Sequence, residues 1–448
     1  MGNAYIHPLL REIAAVFQNH GRDVYLVGGA VRDLFRGEKP QDWDLATNAP
    51  PDEVVSMFRR VIPTGIKHGT VTVHYKGRVM EVTTFRTESE YRDGRRPNRV
   101  DFAATIEEDL SRRDFTMNAI ALRLPGGETA DPFGGREDIK KRLIRCVGNP
   151  AERFAEDGLR PLRAVRFAAT LGFTPDEAAL AAIRPALGIT AKVSPERVRD
   201  EVNKILGAGA DGKNSGGRPS AAFRLMEQTG LLELLFPELA ACRGVEQKGY
   251  HHFDVLDHSL LACDYAAREG YPREVILAAL FHDLGKPGTR KAGPGGVWTF
   301  YQHERESARL CRKILTRLRY PNAVIDETCH LIGEHMFHYT EDWTGAAVRR
   351  FIIRAGEEHL ENLYRLRRAD SYAQAGIEPN PAALLPLVNR VDAALAGSRA
   401  FSLKDLAVSG KDLIAAGVQP GKHMGIILKE LFETVVDDPS QNSREKLL

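Results

Sequence analysis

Asp42 and Asp44 stand two positions apart in Gln41-Asp42-Trp43-Asp44-Leu45-Ala46-Thr47. Read as a strand, the segment projects both carboxylates from one face, with Cα atoms roughly 7 Å apart. Such a pair can clamp one or two Mg²⁺. That ion prefers oxygen ligands, keeps substrate phosphates in its shell, and stabilises the attacking and leaving oxygens of a phosphoryl or nucleotidyl transfer. Alone, the pattern is common on solvated edge strands. Upstream, however, Leu26-Val27-Gly28-Gly29-Ala30-Val31-Arg32-Asp33 places two glycines between an apolar run and a helix start. Unpaired N–H groups at a helix start carry partial positive charge, and glycine lets a triphosphate approach the main chain.

A second set occupies the other half of the chain: His258, then His282-Asp283-Leu284-Gly285-Lys286, then Asp370 after Arg367-Arg368-Ala369. The adjacent His and Asp follow Ile276 to Phe281, an apolar run that reads as buried. Buried polar pairs need partners, and a metal ion supplies them. Mixed imidazole and carboxylate ligation suits Mn, Fe, Co, Ni or Zn better than Mg.

The elements that must position these residues change character along the chain. Asp23 to Val27, the glycine pair and Ala30 to Phe35 read as strand, tight turn and helix. Val71 to Tyr75 and Val79 to Thr84 are β-branched runs joined by Lys76-Gly77-Arg78, a hairpin signature. The first third is therefore α/β with an antiparallel sheet. From about Gly148 apolar residues recur at helical spacing, through Leu159 to Leu171, Arg197 to Leu206 and Ala221 to Leu235. Gly207 to Ser220 and Gly288 to Gly296 read as loops, and Pro379, Pro381 and Pro386 mark a stiffer connection after Glu378.

The 448-residue length implies several cores. With 43% hydrophobic and 27% charged residues, wholesale disorder and a disulfide-stapled mini-protein are excluded. Sixty-two Lys+Arg against 60 Asp+Glu leave a formal +2, so any nucleic-acid contact must be local. Cys146, Cys242, Cys263, Cys311 and Cys329 lack C-x-x-C spacing, which fits a reducing cytoplasm. The N-terminus lacks a basic n-region, and Ile6 stands where a myristoylation signal wants Ser or Thr. No segment approaches membrane-spanning length, so no membrane association is expected.

Gly28-Gly29-Ala30-Val31-Arg32-Asp33 followed by Asp42-Trp43-Asp44-Leu45-Ala46-Thr47 resembles the head of class II tRNA nucleotidyltransferases, the bacterial CCA-adding enzymes and their poly(A) polymerase relatives. Arg112-Arg113-Asp114-Phe115-Thr116-Met117-Asn118-Ala119, Asp131-Pro132-Phe133-Gly134-Gly135 and Glu156-Asp157-Gly158-Leu159-Arg160 look like its later motifs, covering about the first half of the chain. The resemblance implies that Asp42 and Asp44 bind catalytic Mg²⁺, that Gly29 and Arg32 contact the nucleotide, and that Arg113, Arg163 and Arg166 engage its phosphates or ribose. Asp157 and Arg160 would read the incoming base, an acceptor and a donor fork matching the Watson–Crick edges of C and A. Glu81 is a possible third carboxylate. Trp43, Gly158 and Pro161 depart from the usual pattern, and Pro161 requires a helix start or a kink. Arg86 to Pro97 resembles the mobile loop of enzymes that add the terminal A.

His258, His282, Asp283 and Asp370 resemble the metal ligands of the HD phosphohydrolase superfamily. His303 and His335 resemble the extra histidines of its two-metal members, whereas His251, His252, His330 and His338 read as surface or packing residues. Leu406 to Gly425 resembles the family's tRNA-gripping tail, with Ser409 as an N-cap and Lys411 and Lys422 near the turns.

Together these give an α+β fold: a nucleotidyltransferase head of the DNA polymerase beta superfamily over 1–147, a helical neck over 148–240, an HD domain over 241–378 and a helical tail over 379–448. The expected activity is template-independent addition of CCA to tRNA from CTP and ATP, with Mg²⁺ at the head. A second divalent metal and a phosphohydrolase activity are expected at the HD site, with no obligate protein partner. A-only addition, poly(A) synthesis, an RNA-binding protein with an inactive head, and a chain whose main work is HD hydrolysis are the alternatives.

Overall fold

Four apolar residues, Val24–Val27, form strand β1 in the interior of a seven-stranded sheet. The remaining strands are β2 (Asp44–Thr47), β3 (Val61–Gly65), β4 (Thr70–Tyr75), β5 (Arg78–Thr84), β8 (Ala121–Arg123) and β9 (Thr129–Ala130), in the order β3-β4-β5-β2-β1-β8-β9. All neighbours are antiparallel except β2 and β5. β6 (Arg86–Tyr91) and β7 (Pro97–Phe102) form a separate antiparallel ribbon. Val27, Ala46, Phe85, Leu110 and Ala121 pack in one cluster beneath the sheet.

This architecture comes from a computed structural model that describes residues 6–40, 42–66, 69–91, 97–209, 217–247, 253–293, 297–397 and 401–448. The chain forms two compact units, Met1–Pro237 and Glu238–Leu448. In the first, strands give way to helices from Pro150 onward, apart from the two-residue strand Thr174–Pro175, which pairs with Leu143–Ile144. Pro161 is the second residue of the Arg160–Leu171 helix, where its missing N–H would have no intrahelical partner, so the helix starts there without a kink.

The second unit is helical. Val255–Arg268, Arg273–Phe281, His303–Arg317, Asn322–Glu334 and Leu360–Ala375 are its principal helices, with a short hairpin, Lys291–Ala292 and Trp298–Thr299, before the third. At its C-terminal end Ser409 caps the Gly410–Ala415 helix in a capping box with Asp412. The His423–Asp437 helix follows, so the helix, turn and helix read from the sequence are present. Pro386 lies in the first turn of the Leu385–Gly397 helix.

One loop expectation changes here. Arg86 to Pro97, read as a mobile loop, contributes strand β6 and the start of β7, and Thr87 and Glu88 find register partners in Asp101 and Val100 beyond it. Its residues 92–96 lie outside the described residues, as do 210–216, 294–296, and His251 and His252. No helix among the described residues is long and apolar enough to cross a membrane.

Candidate nucleotidyl-transfer and metal sites

Trp43 is buried, which turns Asp42 and Asp44 outward on either side of it. The strand begins only at Asp44, so Asp42 precedes it. Antiparallel pairing sets Asp44 opposite Val27, the last residue before the glycine turn, and parallel pairing sets Glu81 beside Asp44 on β5. Burial, then Glu81 and Asp42, raise the Asp44 pKa against the opposing charge of Arg113. Crowded carboxylates of this kind are relieved by a cation.

Gly28 has φ +69°, and a Cβ there would lie 3.2 Å from Arg113 Nη1 and 3.7 Å from Asp44 Oδ2. The turn must therefore be glycine for both backbone and space. Arg113 is anchored through Nη2 to the buried Asp109 at 3.1 Å, while its buried Nε has no hydrogen-bond partner among the described residues. An orphaned guanidinium donor beside a carboxylate edge is what a phosphate oxygen would satisfy.

A cleft of about 510 Å³ joins this edge to the Arg160–Leu171 helix, and Gly29, Arg32, Asp157, Arg160, Arg163 and Arg166 all line it. A polar chain runs across it. Arg32 Nη1 donates to Asn118 Oδ1 at 3.0 Å, Asn118 Nδ2 to Asp114 Oδ1 at 3.2 Å, and Arg163 Nε to Asp114 Oδ2 at 2.8 Å. Burial would raise the Asp114 pKa, but Arg163 and Asn118 outweigh it and bring it down to about 2. Arg166 pairs with the buried Glu201. The Phe167 ring lies 3.7 Å from the Arg166 guanidinium and 5.5 Å from those of Arg32 and Arg163. Asn118 lay inside a quoted motif without a role, and Phe167 and Glu201 carried no signal beyond helical spacing.

The two residues expected to read the base, Asp157 and Arg160, already have hydrogen-bond partners. Asp157 accepts from the Leu159 N–H at 3.0 Å and from Arg197 Nη2 at 2.7 Å. Arg160 is buried, donating to the carbonyls of Arg153 and Arg112, each at 3.0 Å, and to Glu156. A Cβ on Gly158 would sit 2.6 Å from the Ile189 carbonyl oxygen, which explains that departure from the motif.

In the second unit, His258, His282, Asp283, His303, His335 and Asp370 are all buried. His258 Nε2 lies 3.1 Å from both His282 Nε2 and Asp370 Oδ1. Asp283 divides its oxygens: Oδ2 lies 3.3 Å from His282 Nε2, and Oδ1 lies 3.3 Å from His303 Nε2. Neighbouring ligands of an ion bound at about 2.1 Å are separated by about 3.0–3.5 Å, which these distances match. His282, His303 and His335 each bond Nδ1 to the carbonyl three residues earlier, at 2.9, 2.8 and 2.7 Å. A carbonyl only accepts, so each ring carries a proton on Nδ1 and, when neutral, offers its Nε2 lone pair inward. Two ligand triads result, His258/His282/Asp283 and Asp283/His303/His335. Asp283 Oδ1 and His303 Nε2 make no hydrogen bond among the described residues. Burial lowers the His282 pKa, but Asp283 and Asp370 override it and raise it to about 10, whereas burial and the neighbouring His282 push His335 down to about 3. The two carboxylates thus demand positive charge inside the cluster. His330 instead bonds the Ala355 carbonyl at 2.6 Å, and His338 is exposed.

An acidic edge on a mixed sheet, facing an arginine-lined cleft, defines a nucleotidyltransferase head, and the Poly A polymerase head domain model matches residues 24–145. A model for an RNA- and SrmB-binding site of polymerase A matches 172–243, and one for tRNA nucleotidyltransferase domain 2 matches 297–448. The chain is 36% identical to the CCA-adding enzyme of Geobacillus stearothermophilus, over 98% of this chain and 96% of that protein. It is 33% identical to the Enterococcus faecalis CCA-adding enzyme, over 98% and 93%. The crystal structure of the Bacillus stearothermophilus CCA-adding enzyme in complex with CTP matches with TM-score 0.72 and 32% identity, covering 98% of this chain and 96% of that one. The chain belongs to the CCA-adding enzyme family.

Proposed function

We propose that the protein adds CCA to the 3′ end of tRNA from CTP and ATP without a nucleic-acid template. The full-length match to CCA-adding enzymes carries this reading. In the reaction a tRNA 3′-hydroxyl oxygen bonds the α-phosphorus of the nucleotide, and the bond to pyrophosphate breaks. Asp42 and Asp44 are the residues that would hold Mg²⁺, with Glu81 beside them. The ion supplies charge neutralisation at the oxygens of the transferring phosphoryl group. Arg113 offers its unpartnered Nε to a phosphate, and Arg32, Arg163 and Arg166, held around Phe167, supply further positive charge. Asp157 and Arg160 face the base, and Arg197 and Glu156 fix their orientation before it arrives. Gly29 opens the helix that carries Arg32. Asp42→Ala and Asp44→Ala proteins are expected to lose extension of tRNA transcripts. Either variant retaining wild-type extension overturns the assignment.

The second unit supports a further reading: residues 241–378 form an HD-type metal-dependent phosphohydrolase domain, between a 148–240 neck and a 379–448 tail, with the 1–147 head belonging to the DNA polymerase beta superfamily. His258, His282, Asp283 and Asp370 would hold one divalent ion of the Mn, Fe, Co, Ni or Zn type, and Asp283, His303 and His335 a second. Metal-activated water would hydrolyse a phosphomonoester or a 2′,3′-cyclic phosphate, with tRNA ends as the natural source. Phosphate release from such esters, lost in His282→Ala, tests it. Five buried free cysteines fit a cytoplasmic setting.

A further inference from the structure

Asp44 is held by the ladder, opposite Val27 and beside Glu81, whereas Asp42 precedes β2 and takes no part in that ladder. What fixes it is the residue between them. Trp43 is 7% exposed while both carboxylates face solvent, so the burial of one ring sets where the chain carries Asp42. Two groups from distant parts of the chain lie against that ring. The His7 imidazole has its centroid 5.0 Å from that of the indole, tilted by 54°, and the Arg78 guanidinium carbon lies 5.2 Å from the indole centroid. Tilted ring pairs attract, as does a cation near a π face. His7 is itself firmly placed, because its Nδ1 accepts the Leu9 N–H at 3.2 Å and caps the Pro8–Asn19 helix. That helix buries Leu10, Ile13, Ala14 and Phe17, and the Phe17 ring lies 5.7 Å from Phe58, which meets Tyr75 of β4 edge-on at 5.8 Å. Glu12 pairs with Lys76 in the turn between β4 and β5. Arg78 opens β5, the strand that carries Glu81. Helix and hairpin thus converge on the one side chain that separates the two acidic residues.

We propose that His7 is a positioning residue for nucleotidyl transfer: through Trp43, which Arg78 braces, its ring holds Asp42 at the spacing from Asp44 that a shared divalent ion requires. The inference rests on the reading of Asp42 and Asp44 as the metal-binding pair. His7 touches neither nucleotide nor ion, so its effect falls on metal affinity and not on recognition of CTP or ATP. Loss of such support behind a metal ligand typically costs about 10–100-fold in affinity.

The test uses the full chain stripped of divalent ions. Mn²⁺ binding without substrates is followed by electron paramagnetic resonance, and the binding lost in Asp42→Ala defines the share of the head. Extension of tRNA with CTP is followed in parallel over a range of Mg²⁺ concentrations. The cap and the ring of His7 separate by substitution: His7→Asn keeps an N-cap and loses the ring, and His7→Phe keeps a ring and loses the cap. His7→Asn is expected to weaken Mn²⁺ at the head about tenfold and to raise the Mg²⁺ midpoint of extension by a similar factor, with the KM for CTP at saturating Mg²⁺ unchanged. His7→Phe should keep both near wild type while its Tm falls. The reverse pattern makes His7 a helix cap only and overturns the proposal, as does equal weakening in both variants or wild-type behaviour in both. If Asp42→Ala itself binds Mn²⁺ as wild type does, the reading of Asp42 as a ligand falls and the proposal with it. A head share lost in Asp42→Ala but unmoved in His7→Asn overturns the role of His7 alone.

Discussion

Asp114 ties the glycine turn to the neck helix through Asn118 on one side and Arg163 on the other. Its pKa, about 2 in the fold, lies below the usual 3.8, so the group stabilises the native state fully above the unfolded value and loses that contribution as pH falls toward 2. The shift corresponds to about 2–3 kcal/mol at neutral pH. Arg163→Met leaves this buried carboxylate without its cation, an expected loss of about 3–5 kcal/mol in chemical denaturation at pH 7. Below pH 4, where Asp114 protonates in the variant, the difference from wild type should narrow. A gap constant from pH 7 to pH 3 would contradict the assignment. Gly28→Ala meets both a positive φ and the Arg113 guanidinium, so about 1–3 kcal/mol of stability and most nucleotide incorporation should be lost together.

Elements bring together what local pattern cannot. The glycine pair, Asp42 and Asp44, and the histidine-aspartate motif were legible because each is contiguous in sequence. Glu81 became more than an exposed strand residue only through parallel pairing with β2, a partnership that hairpin signals do not encode. Asn118 and Phe167 were missed because their roles depend on a turn and a helix meeting across the cleft. Arg86 to Pro97 read as a loop because a polar ribbon lacks the apolar alternation that marks a strand. The Arg160–Leu171 helix sits where it does because Gly158 lets the chain pass against Ile189. Gly158→Ala must push that segment away, so the Michaelis constants for CTP and ATP should both rise several-fold in steady-state extension assays. An unchanged value for both would show that the close approach is not needed.

At the scale of the molecule, the formal +2 concealed a concentration of charge: the cleft of the first unit is lined by Arg32, Arg112, Arg113, Arg160, Arg163 and Arg166. Arg112 and Arg113 pair with Asp109, Arg163 with Asp114 and Arg166 with Glu201, all buried acids, so part of the balancing negative charge lies beneath the cleft. The second unit holds its own buried cluster, so metal content separates the two. After removal of loosely bound ions, the full chain reloaded with Mn²⁺ should retain two ions per chain, His303→Ala one, and His282→Ala fewer than wild type. A single ion in wild type that His303→Ala does not alter would confine binding to His258, His282, Asp283 and Asp370. The central claim is CCA addition, and it is tested most directly by incubating the purified chain with a tRNA transcript lacking the CCA end, CTP and ATP. The account predicts a product three nucleotides longer, ending in CCA, and no further growth. No extension, extension only of transcripts already ending in CC, or a lengthening run of A would contradict it.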